Sequence, residues 1–205
     1  DRTGYGQPLA DIFTNQLQAK GVKVLERHYT NDKATDFAAI LTSVKRVNPD
    51  LIFYGGMDAQ AGPMLRQMKQ LGIKAKLMGG DGICTAELVR LGGDNVGPNV
   101  LCAEGGMALS KMPGGPAFEK RYKERFKADI QVYAPFVYDA IMTMGMAMKN
   151  AKSDDPKKYL TKLKDIRHDG VIGTIAFDEV GDVLNAAVTL NSYGPKGKFP
   201  IKIVN

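Results

Sequence analysis

Chemistry in this chain of 205 residues is concentrated in a few places. Asp81 stands in the run KLMGGDGIC, with Gly79 and Gly80 before it and Gly82 after it. Glycine lets a backbone take φ > 0 or pass close to another group, so this spacing describes a tight turn that presents one acid to a partner. Such a carboxylate can cap the following helix or contact a ligand. Thr85 is itself a good cap and lies closer, which favours the ligand over the cap as the role of Asp81. Neither His28 nor His168 has an evident acidic partner, and His168, beside Asp169 and Gly170, reads as a surface turn. Cys84 and Cys102 are too few and too far from either histidine for a zinc site, so no metal is expected. The two cysteines are either buried free thiols, as a cytosolic setting favours, or a disulfide tying the loop after one strand to the next strand, as an exported setting favours. No nucleophile elbow, Walker loop or GxGxxG at a first strand occurs, and the Gly55-Gly56 and Gly92-Gly93 pairs read as turn and cap residues. The expectation is a protein that is not an enzyme and uses no cofactor.

Two kinds of apolar segment alternate along the first half and must position Asp81. Leu9, Ile12, Phe13 and Leu17 recur at helical spacing over 7–20, and Gly21 stops them. Residues 22–29 alternate like a strand. The pattern then predicts a helix over 36–47, a buried strand over 50–54, a helix over 63–71, a strand over 75–78, a helix over 85–91 and a strand over 100–103. Strands separated by helices are βαβ units, hence an α/β fold with a doubly wound parallel sheet and helices on both faces. Ligands bind such sheets outside the carboxyl ends of the strands. That rule selects three loops: 1–7, 55–58 and 79–82. Tyr5, Met57 and Asp81 are therefore expected to face one cleft, although Tyr5 could equally pack on the helix after it and Met57 could equally fill core.

Beyond residue 105 the pattern changes to consecutive helices over 116–128, 135–150 and 156–166. Ser153-Asp154-Asp155-Pro156 marks the start of the last. Residues 174–177 and 186–190 flank a hairpin-like turn over 178–182. Three amphipathic helices with almost no sheet lack something to bury their apolar faces against. The first helix likewise has no strand ahead of it, and Asp1 stands where a start Met would. Together these lead to the expectation that an N-terminal portion is missing.

A composition of 44% hydrophobic and 24% charged residues suits a globular chain of one or two domains. The longest apolar stretch, 134–148, contains Asp139 and falls short of the roughly 20 residues that a membrane helix needs. No signal peptide is visible. The formal charge of +6 is scattered over surface faces with no aromatic interleaving, which speaks against nucleic acid as a partner.

The segments DRTGYGQPLAD, NDKATDFAAILTSVKRVNPDLIFYGG, MLRQMKQLG, LMGGDGI, YAPFVYDAI and FDEVGD occur in an order that resembles the periplasmic branched-chain amino-acid-binding proteins of ABC importers. These are type I periplasmic-binding receptors, with the two-lobed Venus flytrap fold. The resemblance covers essentially the whole chain and implies a receptor lacking about its N-terminal third. It implies one lobe from 1–105 and 189–205, and the carboxy-terminal part of the other from 106–188. Asp81 matches the acid that pairs with the ligand's α-ammonium, Tyr5 a tyrosine lining the cleft from the same lobe, and Tyr133 an aromatic contributed by the opposite lobe. Met57 departs from the pattern, since some relatives place a tyrosine there. The residues that hold the ligand carboxylate belong to the portion expected to be absent. An exported receptor also implies a Cys84–Cys102 bridge, a periplasmic location (or a cell-surface lipoprotein in a Gram-positive organism), the membrane permease of an ABC transporter as partner and, as small-molecule ligand, a branched-chain or similar amino acid. The alternatives are the effector domain of a regulator, or a related receptor for amides or aromatic acids. Self-association, or the missing N-terminal segment, would cover exposed helices.

Overall fold

A computed structural model describes residues 1–204. Two compact units divide the chain: Asp1–Glu104 with Thr189–Lys202, and Gly105–Val188 with Ile203 and Val204.

The first unit is built on a five-stranded sheet. Three strands are the short apolar runs of the sequence: β1 (Leu51–Tyr54), β2 (Lys76–Gly79) and β3 (Val100–Gly105). They pair in parallel, Leu51 opposite Lys76 and Leu77 opposite Val100. Helices make the crossovers: α1 (Gly6–Ala19) and α2 (Ala38–Val47) precede β1, α3 (Asp58–Gln70) joins β1 to β2, and α4 (Ala86–Gly92) joins β2 to β3. The chain returns at its end with β6 (Val188–Gly194) and β7 (Gly197–Val204), giving the order β1-β2-β3-β6-β7. Leu77, Val100, Leu41, Leu65 and Leu88 are among the fully buried side chains of one cluster around the sheet. Each contributes about 1.5–3 kcal/mol by leaving water.

Three differences from the sequence pattern have physical causes. Residues 22–29 are not a strand, because no described strand lies beside them to complete a ladder. Helix α3 begins at Asp58, five residues before Pro63; a proline past the first turn costs one intrahelical hydrogen bond, here accepted within the helix. Residues 174–177 do not pair with 186–190, although Phe177 bridges Val183 and the Leu184 N–H donates to the Ala176 carbonyl, which closes the expected hairpin-like turn. Instead β5 (Thr174–Ile175) pairs with β4 (His168–Asp169), which takes His168 out of the expected turn, and the later segment enters the main sheet as β6. The turn itself is closed by Asp178, whose Oδ1 accepts from the backbone N–H groups of Val180, Gly181 and Asp182.

The second unit contains α5 (Gly115–Phe126), α6 (Ala134–Ala151) and α7 (Pro156–Leu163). Its centre is Asp139, 0% exposed on α6. The two carboxylate oxygens accept from the backbone N–H of Val171 at 2.9 Å and of Ile172 at 2.8 Å, so a buried charge is met by two donors. α6 also carries a row of exposed apolar side chains that includes Val137, Ile141 and Met144, Ile141 being 62% exposed. No helix of the described residues is long and apolar enough to cross a membrane.

Candidate functional site

The loops 1–7, 55–58 and 79–82 meet at the carboxyl ends of β1 and β2, as the parallel register requires. Glycines make the meeting possible by closeness rather than by unusual dihedrals. None of Gly55, Gly56, Gly79, Gly80 or Gly82 has φ > 0. A Cβ on Gly82 would lie 2.7 Å from the Gly56 carbonyl oxygen, 2.7 Å from Met57 Sδ and 3.2 Å from the Tyr5 ring. On Gly80 it would lie 2.6 Å from the Tyr5 hydroxyl, and on Gly55 it would strike the Gly6 carbonyl at 2.1 Å. Any side chain at these positions would push the three loops apart.

At their centre Tyr5 and Asp81 are joined directly. The Tyr5 hydroxyl donates to Asp81 Oδ1 at 2.8 Å and accepts from the backbone N–H of Gly82 at 3.1 Å. Burial, the largest cause, pushes the Tyr5 phenol up to about 12; the Gly82 N–H pulls the other way and the Asp81 carboxylate adds to the rise. The phenol therefore stays a donor through the ordinary pH range and fixes the orientation of the carboxylate. Asp81 opens a short 3-10 turn ending at Ile83, and the cap of α4 is Thr85, whose hydroxyl accepts from Leu88 N–H at 3.1 Å. Tyr5 and Asp81 are half-buried and Met57 is exposed, its sulfur against Gly82. Tyr133 belongs to the second unit, at the N-cap of α6, with an exposed ring.

Several residues that support the site carry no local signal. Asp58, in the first turn of α3, accepts from the Thr85 hydroxyl at 2.6 Å and links the loop after β1 to the loop after β2. Tyr193 on β6, 1% exposed, donates its hydroxyl to the Ile83 carbonyl at 2.8 Å. Lys198 on β7 donates to the Cys84 carbonyl at 2.9 Å and pairs with Glu104. Cys84 and Cys102 form a buried disulfide, so the Asp81 loop is bound covalently to β3. The separations in sequence, 110 residues for Tyr193 and 114 for Lys198, put these braces beyond any motif. Among the described residues no group of three or more His, Cys, Asp or Glu side chains is placed to hold a metal ion.

This arrangement offers a carboxylate at a sheet edge, aimed by a neutral phenol and held on a loop braced from three sides. Such a group makes charge-assisted hydrogen bonds to a cationic nitrogen.

Comparison with known proteins adds the following. A family model described as periplasmic binding protein matches residues 1–196. A Leu/Ile/Val-binding protein homolog of Brucella abortus is 30% identical over 189 residues, 89% of this chain and 48% of its own. An amino acid binding protein of Pseudomonas aeruginosa is 30% identical over 202 residues, 97% of this chain and 53% of its own. Among solved structures, a leucine binding protein of Thermotoga maritima matches with a TM-score of 0.90 at 27% identity, over 99% of this chain and 58% of that one. The branched-chain amino acid transporter substrate binding protein of Streptococcus pneumoniae, solved with isoleucine, matches in fold with a TM-score of 0.83 at 21% identity, over 98% of this chain and 57% of that one. The chain spans about half the length of the curated relatives it matches.

Proposed function

Because the chain belongs to the periplasmic binding protein family, we propose that it is the amino-acid-recognising part of an extracytoplasmic solute receptor that serves the permease of an ABC importer. The observation that carries the proposal is the Tyr5–Asp81 pair at the confluence of three loops. In this reading Asp81 receives the ligand's α-ammonium, Tyr5 holds the carboxylate in place and lines the site, and Met57 touches the ligand side chain. A thioether adapts its shape, which suits aliphatic side chains of several forms. The role of Tyr133 in the same reading rests on the family resemblance. A branched-chain or similar amino acid is the proposed ligand, in keeping with the names of the relatives, and the proposed location is the periplasm or the outer face of the cell membrane.

Titration calorimetry with L-leucine, L-isoleucine and L-valine tests the reading. It is run on the 205-residue chain and on a chimera whose remainder comes from the Thermotoga maritima leucine binding protein. Asp81→Asn keeps the shape and removes the charge. One charge-assisted hydrogen bond amounts to about 1.5–3 kcal/mol, so affinity for the α-amino acids falls roughly 10- to 150-fold. Affinity equal to that of the unsubstituted protein refutes the assignment.

A further inference from the structure

Lysines and arginines that lie scattered along the sequence are gathered by the parallel topology. Strands β1 and β2 begin in register, Leu51 opposite Lys76. The helices ahead of them therefore end at one edge of the sheet, opposite to Asp81. Lys45 and Arg46 stand in the last turn of α2, and Lys69 in the last turn of α3. Lys74 lies in the connection that follows, and Lys76 opens β2. Helix α1 starts beside Gly55 at the far edge and runs back for 14 residues. That is about 21 Å of helix against about 13 Å for a strand of four residues, so its C-cap, Lys20, reaches the same end. All six residues are exposed.

Two properties set this end apart. Other cations of the unit are paired, Arg27 with Asp11, Arg90 with Glu87 and Lys198 with Glu104, whereas none of the six stands in an ion pair among the described residues. The acids on the connections at this edge are Asp50 and Asp94 alone, while Asp58, Asp81 and Glu104 lie at the opposite one. Charge is thus divided along the strand direction. Cations complement the dipole at helix C-termini, which accounts for Lys20, Lys45, Arg46 and Lys69. It does not account for Lys74 and Lys76, which lie outside the helices. Like charges crowded at one end repel, and no internal counter-charge relieves them.

The character of this face selects its partner. Residues 42–50 and 66–76 contain no aromatic side chain on which bases could stack. Nor do they offer the buried aromatic anchors around which protein interfaces centre. What they offer is long, flexible cations from separate helices and the sheet edge between them. An anionic bilayer surface is recognised in this way, by field rather than by fit.

We propose that the edge of the first unit at the amino ends of β1 and β2 is a docking surface for a bilayer bearing anionic lipids. Lys45, Arg46, Lys69, Lys74 and Lys76 meet the headgroups, with Lys20 beside them. Docking in this orientation turns the Asp81 loops away from the lipid. The surface is independent of the reading of Asp81, since the two lie at opposite ends of the strands.

Flotation of the 205-residue chain with vesicles tests it. Vesicles of phosphatidylcholine alone, and others with about one third phosphatidylglycerol, are compared at about 0.1 M salt, where charges act over about 10 Å, and at about 1 M, where they act over about 3 Å. Binding is expected only with phosphatidylglycerol and only at the lower salt. A cation near such a surface strengthens partition roughly fivefold, so Lys45→Gln, Arg46→Gln, Lys74→Gln and Lys76→Gln together are expected to weaken it about 100-fold or more. The combination Lys157→Gln, Lys158→Gln, Lys162→Gln and Lys164→Gln removes the same charge from exposed positions of the second unit. It is expected to leave binding at the lower salt within about twofold, because those charges lie beyond the screening length. Far-ultraviolet circular dichroism checks that both variants keep the fold. No binding to the anionic vesicles, equal binding to the two kinds, or equal losses in the two variants overturns the proposal. Retention on poly-glutamate with none on vesicles also overturns it, by naming an acidic polypeptide as the occupant.

Discussion

Replacing Cys84 and Cys102 together by alanine removes the covalent tie between the Asp81 loop and β3 at a cost that the chain length fixes. The bridge joins residues 18 apart in sequence. Closing a loop of about that length in the unfolded chain removes roughly 11 cal/mol/K of entropy, or about 3 kcal/mol at room temperature. Both cysteines are fully buried in the core cluster, so the loss of two sulfur atoms adds a packing penalty of about 1 kcal/mol or more. The first unit should therefore lose about 4 kcal/mol, several times the effect of an ordinary surface change. Urea unfolding followed by far-ultraviolet circular dichroism reads the loss as a lower midpoint at unchanged slope. Hydrogen exchange locates it: the amides of Ile83 and Cys84, bonded to the carbonyls of Gly80 and Asp81, should exchange faster than those of α6. A loss under about 1 kcal/mol would show that the unfolded chain gains little freedom when the bridge is removed, and would refute the reasoning.

Two further changes probe other parts of the molecule. Asp139→Asn sets an amide N–H₂ against one of the two backbone donors of Val171 and Ile172. It should destabilise the second unit by about 2–4 kcal/mol, with faster exchange of both amides, and unchanged exchange there would refute the role given to Asp139. Alkaline titration probes the buried phenols. Burial raises Tyr5 and Tyr54 to about 12 and raises Tyr193 as well. The folded state then holds protons that the unfolded state releases, so the stability from these groups is complete below about pH 10 and disappears as pH rises through about 12. Absorbance of phenolate should show a late group of tyrosines that ionise only as the circular dichroism signal is lost, whereas one early step in a still-folded protein would contradict their burial.

The sheet is legible where a strand's identity is local and obscure where it depends on a neighbour. The runs that become β1, β2 and β3 are apolar and bounded by Gly, Pro or Asn, so burial on both faces can be read from composition. Residues 22–29 alternate in part, with Val22 and Val24 on one side and Leu25 and Tyr29 on the other, yet alternation supplies no hydrogen-bond partner, and none of the described strands stands beside them. β7 hides for the opposite reason. Pro200 lies within it, and a proline speaks against a strand until one knows that β7 is at the sheet edge, where one face of the backbone needs no donor. The site divides along the same line. Asp81 can be picked out by its glycines, and the loops by their places after strands, because both are sequence-local. That Tyr5 and Asp81 face each other follows from the loops of parallel strands, but the hydrogen bond between them does not, and that Tyr193 and Lys198 hold the carbonyls of Ile83 and Cys84 follows only once β6 and β7 return beside β3. The orientation of the carboxylate is thus set by chain topology, and a sequence with the same GGDG motif on a different strand order would present its acid without these braces.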